Sequence, residues 1–126
     1  MAPSSSARGR EIPEGTVYRR IHPNHFDYEL DGPTFLAFRP REIDQGGLSA
    51  DLDLGKARAA LKQPKHKRFG LCALDIAKIK RETKGRAHVS PPLKAGASHV
   101  RIENCEDEKV QQALARLATV IQPPTR

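Results

Sequence analysis

The chain contains no tryptophan, a single methionine and only six aromatic residues, Tyr18, Phe26, Tyr28, Phe35, Phe38 and Phe69, among 126. Burial must therefore come mostly from Leu, Ile, Val and Ala, and an ordinary rather than exceptional stability is expected. Cysteine is nearly absent too. Cys72 lies in an apolar run and Cys105 beside acids, and two such thiols make neither a disulfide framework nor a zinc site. The pair reads as two reduced thiols, Cys72 packed in a strand and Cys105 exposed, with neighbouring acids discouraging its thiolate. No apolar run is long enough to span a bilayer, and Met1–Ser6 lacks the apolar segment that a secretory signal requires. A soluble cytoplasmic protein without membrane contact is the expectation. Gly-rich phosphate loops, zinc spacings and a catalytic triad are missing as well, so composition bounds the function more than it names it.

What is scarce in the middle of the chain is acid. Between Lys56 and Arg101 thirteen Lys and Arg face only Asp75 and Glu82, a net of +11, while the remainder holds nine bases and thirteen acids, a net of −4. The total of +7 is thus a basic centre with mildly acidic flanks.

At this length one compact domain is expected, with a basic arm over residues 1–15, a domain over 16–121 and a tail over 122–126. Val17, Arg19 and Ile21 alternate with Tyr18, Arg20 and His22, the period of a half-buried strand. Asp31-Gly32 marks a tight reversal, and Phe35–Phe38 is too short for periodicity to separate strand from helix. Leu48–Leu52 alternates and predicts a strand. Asp53 is placed to cap a helix reaching Gln63, which Pro64 ends.

Phe69–Leu74 is the best candidate for a buried strand. Asp75–Arg81 keeps alternating, so the strand is expected to continue past a bulge, with a short helix as the alternative. Residues 84–96 hold Gly85, Pro91, Pro92 and Gly96 and read as a loop. Ala97–Glu103 alternates again. Glu106–Glu108 open a helix expected to run to about Val120, with Val110, Ala113, Leu114, Leu117 and Val120-Ile121 as its buried stripe. The sum is a single small α+β domain, a mainly antiparallel sheet with two helices.

Arg19-Arg20-Ile21-His22-Pro23, Gly32-Pro33-Thr34 with Ala37-Phe38-Arg39-Pro40, Leu48–Leu52 and Ala97-Ser98-His99-Val100 follow one another in an order that resembles a group of small uncharacterised bacterial proteins. The resemblance spans roughly residues 16–124 and implies a bacterial cytosolic domain, without a mechanism. The basic segment 62–94 departs from the pattern.

Three function classes follow. The first is a small non-enzymatic binding protein whose Lys/Arg-rich middle engages nucleic acid or an acidic protein partner. Its contacts would be Lys62, Lys65, Lys67, Arg68, Lys78, Lys80, Arg81, Lys84 and Arg86, if a sheet brings them together, with Arg20 and His22 beside Tyr18 as a phosphate or carboxylate site. Against it stands the plainer possibility that Lys-rich loops are solvated faces that protect sheet edges. The second is an NAD-using transferase: Arg19, Ser49 and Glu103 on successive strands are similar to the ADP-ribosyltransferase order, in which Arg and Ser hold NAD and a late Glu orients the acceptor. The third is a structural subunit of a larger assembly. His22 and His25 flank Pro23 in a turn without a cysteine or clear acidic third ligand, so no metal and no bound cofactor are expected.

Overall fold

The computed structural model describes residues 11–126. β1 (Thr16–Ile21) sits inside a six-stranded sheet with β4 (Leu48–Asp51), β5 (Gly70–Asp75), β6 (His88–Ser90), β7 (His99–Glu103) and β8 (Thr119–Gln122), in the order β6-β7-β4-β1-β5-β8. Every pairing is antiparallel. A separate ribbon joins β2 (Phe26–Asp27) to β3 (Gly32–Pro33) through a turn in which Asp31 takes φ 57°, the left-handed region that Asp tolerates. The architecture is a small single-domain α+β fold with, among the described residues, three helices, α1 (Leu54–Leu61), α2 (Ile76–Glu82) and α3 (Glu108–Leu117).

Alternation along the strands sets the layers. On β1, Val17 and Ile21 are fully buried and meet Leu74, Cys72 and their neighbours in the main core, where Ile76 and Ile79 of α2 and Val110 and Leu114 of α3 pack. Leu71, the next residue of β5, points the other way and packs with Ala57 and Leu61 of α1. So α2 and α3 cover one face of the sheet and α1 covers the opposite face. Each fully buried Leu or Ile contributes about 1.5–3 kcal/mol, which fixes the strand register: a slip by one residue would exchange the two cores.

All three helices start on an aspartate. Asp53 accepts from the Lys56 N–H at 3.0 Å, Asp75 from Lys78 at 3.0 Å and Asp107 from Lys109 at 2.8 Å. Each cap satisfies an otherwise orphaned donor and is worth about 1 kcal/mol.

Four expectations change. Asp75–Arg81 is not a continuing strand: the Asp75 cap and the Ile76/Ile79 spacing make it α2, so the helices among the described residues number three rather than two. The last helix stops at Leu117 instead of Val120, because Ala118 turns extended and Thr119–Gln122 pairs with β5 as the edge strand β8. Residues 84–96 are not all loop, since His88–Ser90 pairs with Glu103–Arg101. Cys105, expected exposed, is fully buried: its N–H donates to the Gly46 carbonyl at 2.7 Å and its own carbonyl accepts from Gln111 Nε2 at 2.8 Å.

Of the arm expected over residues 1–15, residues 1–10 lie outside the described residues. Its remainder is tied down, Ile12 bridging Val89 and Glu11 pairing with Lys80 at 2.7 Å. At the other end the Thr125 N–H donates to the Arg68 carbonyl at 2.9 Å, and the Arg126 guanidinium lies 4.4 Å from the Tyr28 ring centroid. Among the described residues no helix is long and apolar enough to cross a membrane.

Candidate anion-binding cleft

The site begins with an interruption in the sheet. β1 pairs with β5 along its whole length but with β4 only at Tyr18↔Asp51. Arg19 occupies a position whose neighbours two residues away, Val17 and Ile21, are core, so its stem is held in apolar surroundings and its guanidinium is delivered to the opening between the two strands. There Nε donates to the Ala37 carbonyl at 3.0 Å and Nη1 to the Ser49 carbonyl at 2.8 Å. Among the described residues no carboxylate comes within 4.0 Å of it. Burial lowers its pKa; Cys72, Cys105 and Asp44 oppose that effect and Arg20 adds to it. Two of its five N–H donors are engaged by main-chain carbonyls, which fix the fork and leave the rest for a ligand.

Around Arg19 lies a cleft of about 320 Å³. Tyr18, Arg20 and His22 line it from the α1 side of β1, with Ser49 and Asp51 of β4. His99 of β7, paired with Asp51, completes that wall. The far side is made by Ala37, within the 3-10 turn Phe35–Phe38, by Arg39, which follows that turn, and by His25. Arg41 is also present but is neutralised by Asp44 at 3.1 Å, an ion pair that holds the Asp44 carboxyl below its usual range. Arg20 and Arg39 are exposed and, like Arg19, have no carboxylate partner among the described residues.

The imidazoles add fixed donors. His22 Nδ1 accepts the Asn24 N–H at 3.0 Å, which places the proton of the neutral ring on Nε2. His25 has its pKa lowered, first by burial and then by His22 and Arg19, so it stays neutral at pH 7. Phe69 stands edge-on to His22, centroids 5.1 Å apart, and His66 lies behind it at 5.0 Å. The two thiols nearest Arg19, Cys72 and Cys105, are each pushed up to about 12, mainly by burial, and are not nucleophiles.

Arg19, Arg20, His22 and Ser49 thus come together. Glu103 does not join them: it accepts from Ser90 Oγ at 2.8 Å and from Arg101 Nη2 at 3.3 Å, outside the cleft. The lysines and arginines of the middle do not form one patch. Lys62, Lys65, Lys67 and Arg68 follow α1 and lead into Phe69 at the cleft, whereas Lys78, Lys80 and Arg81 ride on α2, with Lys84 and Arg86 just after it, on the opposite face of the sheet. Three of that second group are internally paired, Lys80 with Glu11, Arg81 with Glu82 and Arg86 with Asp107.

Sequence reasoning missed His25, Arg39, Asp51, Phe69 and His99 as cleft residues. Asp51 was accessible through its alternation with Ser49; the others meet the site only through tertiary folding. Among the described residues no group of three or more His, Cys, Asp or Glu is placed to hold a metal ion.

Fold and cleft together define a class: a small antiparallel α+β domain in which arginines without a carboxylate partner among the described residues line a break in the sheet. No protein-family model, no curated protein and no solved structure matches the chain.

Proposed function

We propose that this protein binds a phosphate-bearing anion in the cleft between β1 and β4, with the exposed cations Lys62, Lys65, Lys67 and Arg68 extending the site toward longer polyanions. The observation that carries the reading is Arg19, a half-buried guanidinium fixed by two carbonyls and lacking a carboxylate partner among the described residues. A charge withdrawn from water is costly unless something of opposite sign meets it, and an arriving anion supplies that partner. Arg20, Arg39 and His22 line the same cleft, and guanidinium forks and an imidazole N–H are donors suited to phosphate oxygens.

This reading keeps a polyanionic partner, nucleic acid or an acidic protein, but moves the contact from the whole basic middle to the opening between β1 and β4, which Arg19 enters from the face of Val17 and Ile21 and Arg20 and His22 from the α1 side. A transferase centred on Arg19, Ser49 and Glu103 finds less support, because Glu103 is engaged by Ser90 and Arg101. Titration calorimetry with inorganic pyrophosphate tests the proposal. Arg39→Ala, an exposed position, is expected to weaken binding about tenfold, while Lys80→Ala on the other face leaves it unchanged. Equal affinity in the wild type and Arg39→Ala, or no binding at low salt, would overturn it.

A further inference from the structure

The cleft holds more aromatic surface than an anion alone requires. Tyr18, His22, His25 and Phe69 all line it, in a chain that has only six Phe and Tyr residues in total. The rings are not scattered: His25 and His22 stand 5.3 Å apart, His22 and Phe69 5.1 Å, and Phe69 and His66 5.0 Å, a continuous run beginning beside Arg19 and ending over α1. Its members are individually fixed. His22 is held by the Asn24 N–H, His66 by the Ala60 carbonyl, and Phe69 by packing against the α1-side core. Phe69 follows the basic turn Lys65–Arg68 directly and sits where β5 begins, one residue before Gly70, which pairs with Ile21.

We infer that the ligand carries a planar aromatic base beside its phosphate: the cleft is a nucleotide site, with the phosphate on Arg19, Arg20 and Arg39 and the base on the Phe69–His22 rings. The inference rests on the anion reading above and deepens it. Bases stack on aromatic side chains with little regard to sequence, and an arginine or imidazole nearby strengthens the contact. The size of the cleft, about 320 Å³, lies at the low end of ligand cavities and suits one nucleotide rather than two. The same chemistry is offered by a free nucleotide and by the end of a single-stranded nucleic acid, and Lys62, Lys65 and Lys67 beside Phe69 would serve the second.

Calorimetric titrations with adenosine 5′-diphosphate, inorganic pyrophosphate and a 5′-phosphorylated single-stranded tetranucleotide separate the possibilities. The expected result is that the diphosphate nucleotide binds at least about tenfold more tightly than pyrophosphate, and that Phe69→Leu, which keeps the apolar bulk, erases that advantage without changing pyrophosphate binding. A tetranucleotide tighter than the mononucleotide, with a difference lost in Lys65→Ala, identifies a strand end as the source; equal affinities identify the free nucleotide. Pyrophosphate and nucleotide binding equally in the wild type would overturn the base site while leaving the anion site standing. Failure of all three ligands would remove both.

Discussion

At the scale of single residues, His25 links the cleft to pH. Burial, reinforced by the neighbouring His22 and Arg19, lowers its pKa below the ordinary 6.5, so the unfolded chain takes up a proton at a higher pH than the folded one. Stability is therefore full above about pH 6.5 and declines as pH falls from there toward the lower folded value, flattening once both states are protonated. Asp44, with its pKa lowered by Arg41, acts in the same direction but only in the acidic carboxylate range, so the two windows are distinct. Urea denaturation across this range is expected to show the loss in the wild type and a smaller one in His25→Asn, whose side chain does not titrate. An unchanged pH profile in the variant would mean that His25 is not the group responsible. The same physics couples to ligand: an anion beside His25 favours its imidazolium, so pyrophosphate affinity should rise as pH falls through that window.

At the scale of elements, β8 is held by its pairing with β5, and the chain that follows passes so close to Gly70 that no side chain fits there. A Cβ on Gly70 would stand 2.5 Å from the Gln122 carbonyl oxygen and 2.5 Å from the Pro124 nitrogen, both backbone atoms that cannot swing aside. Gly70→Ala is accordingly expected to lose about 1–3 kcal/mol, the usual cost of forcing atoms into a filled space. Gly32→Ala, where nothing lies within 4 Å, should stay within about 0.5 kcal/mol of the wild type in the same thermal melts. A Gly70→Ala variant as stable as Gly32→Ala would show that β8 gives way freely.

This strand is also where the sequence was least legible. The helical stripe of Val110, Ala113, Leu114 and Leu117 runs on into Val120 and Ile121 with no Gly or Pro between, so periodicity extends the helix past the point where Ala118 turns extended. β6 was hidden for the opposite reason: three residues with one buried member, Val89, between Gly85 and Pro91 carry too little pattern to register. By contrast, β1, β4 and β7 declared themselves because each has a core face and a more polar face at period two, and β5 because its apolar run is buried on both faces. The Asp53 cap declared α1. Asp75 offered the same signal for α2, outweighed there by an apolar alternation that continued from the strand before it.

At the scale of the whole molecule, the sheet divides the basic residues that the sequence runs together. Distance along the chain from Lys62 to Arg86 is short, yet β5 passes between the two groups and carries one to each face, a separation that composition cannot register. The consequence is a test of direction. On the α1 side Lys65 and Lys67 continue outward from the cleft. On the other side a groove of about 450 Å³ between α2 and α3 is bordered by Lys84, Arg86, Lys109 and Arg116, with Arg86 already taken by Asp107. A single-stranded oligonucleotide laid from the cleft across the α1 side would release counterions from the first group only. The slope of log K against log salt should then flatten by about 0.7 for each contact removed in Lys65→Glu and Lys67→Glu. Lys84→Glu combined with Arg116→Glu, which makes the same change in net charge, should leave that slope near the wild-type value. If the second pair flattens the slope and the first does not, the polyanion lies in the α2–α3 groove, and Arg19, Arg20 and Arg39 at the break in the sheet have some other partner.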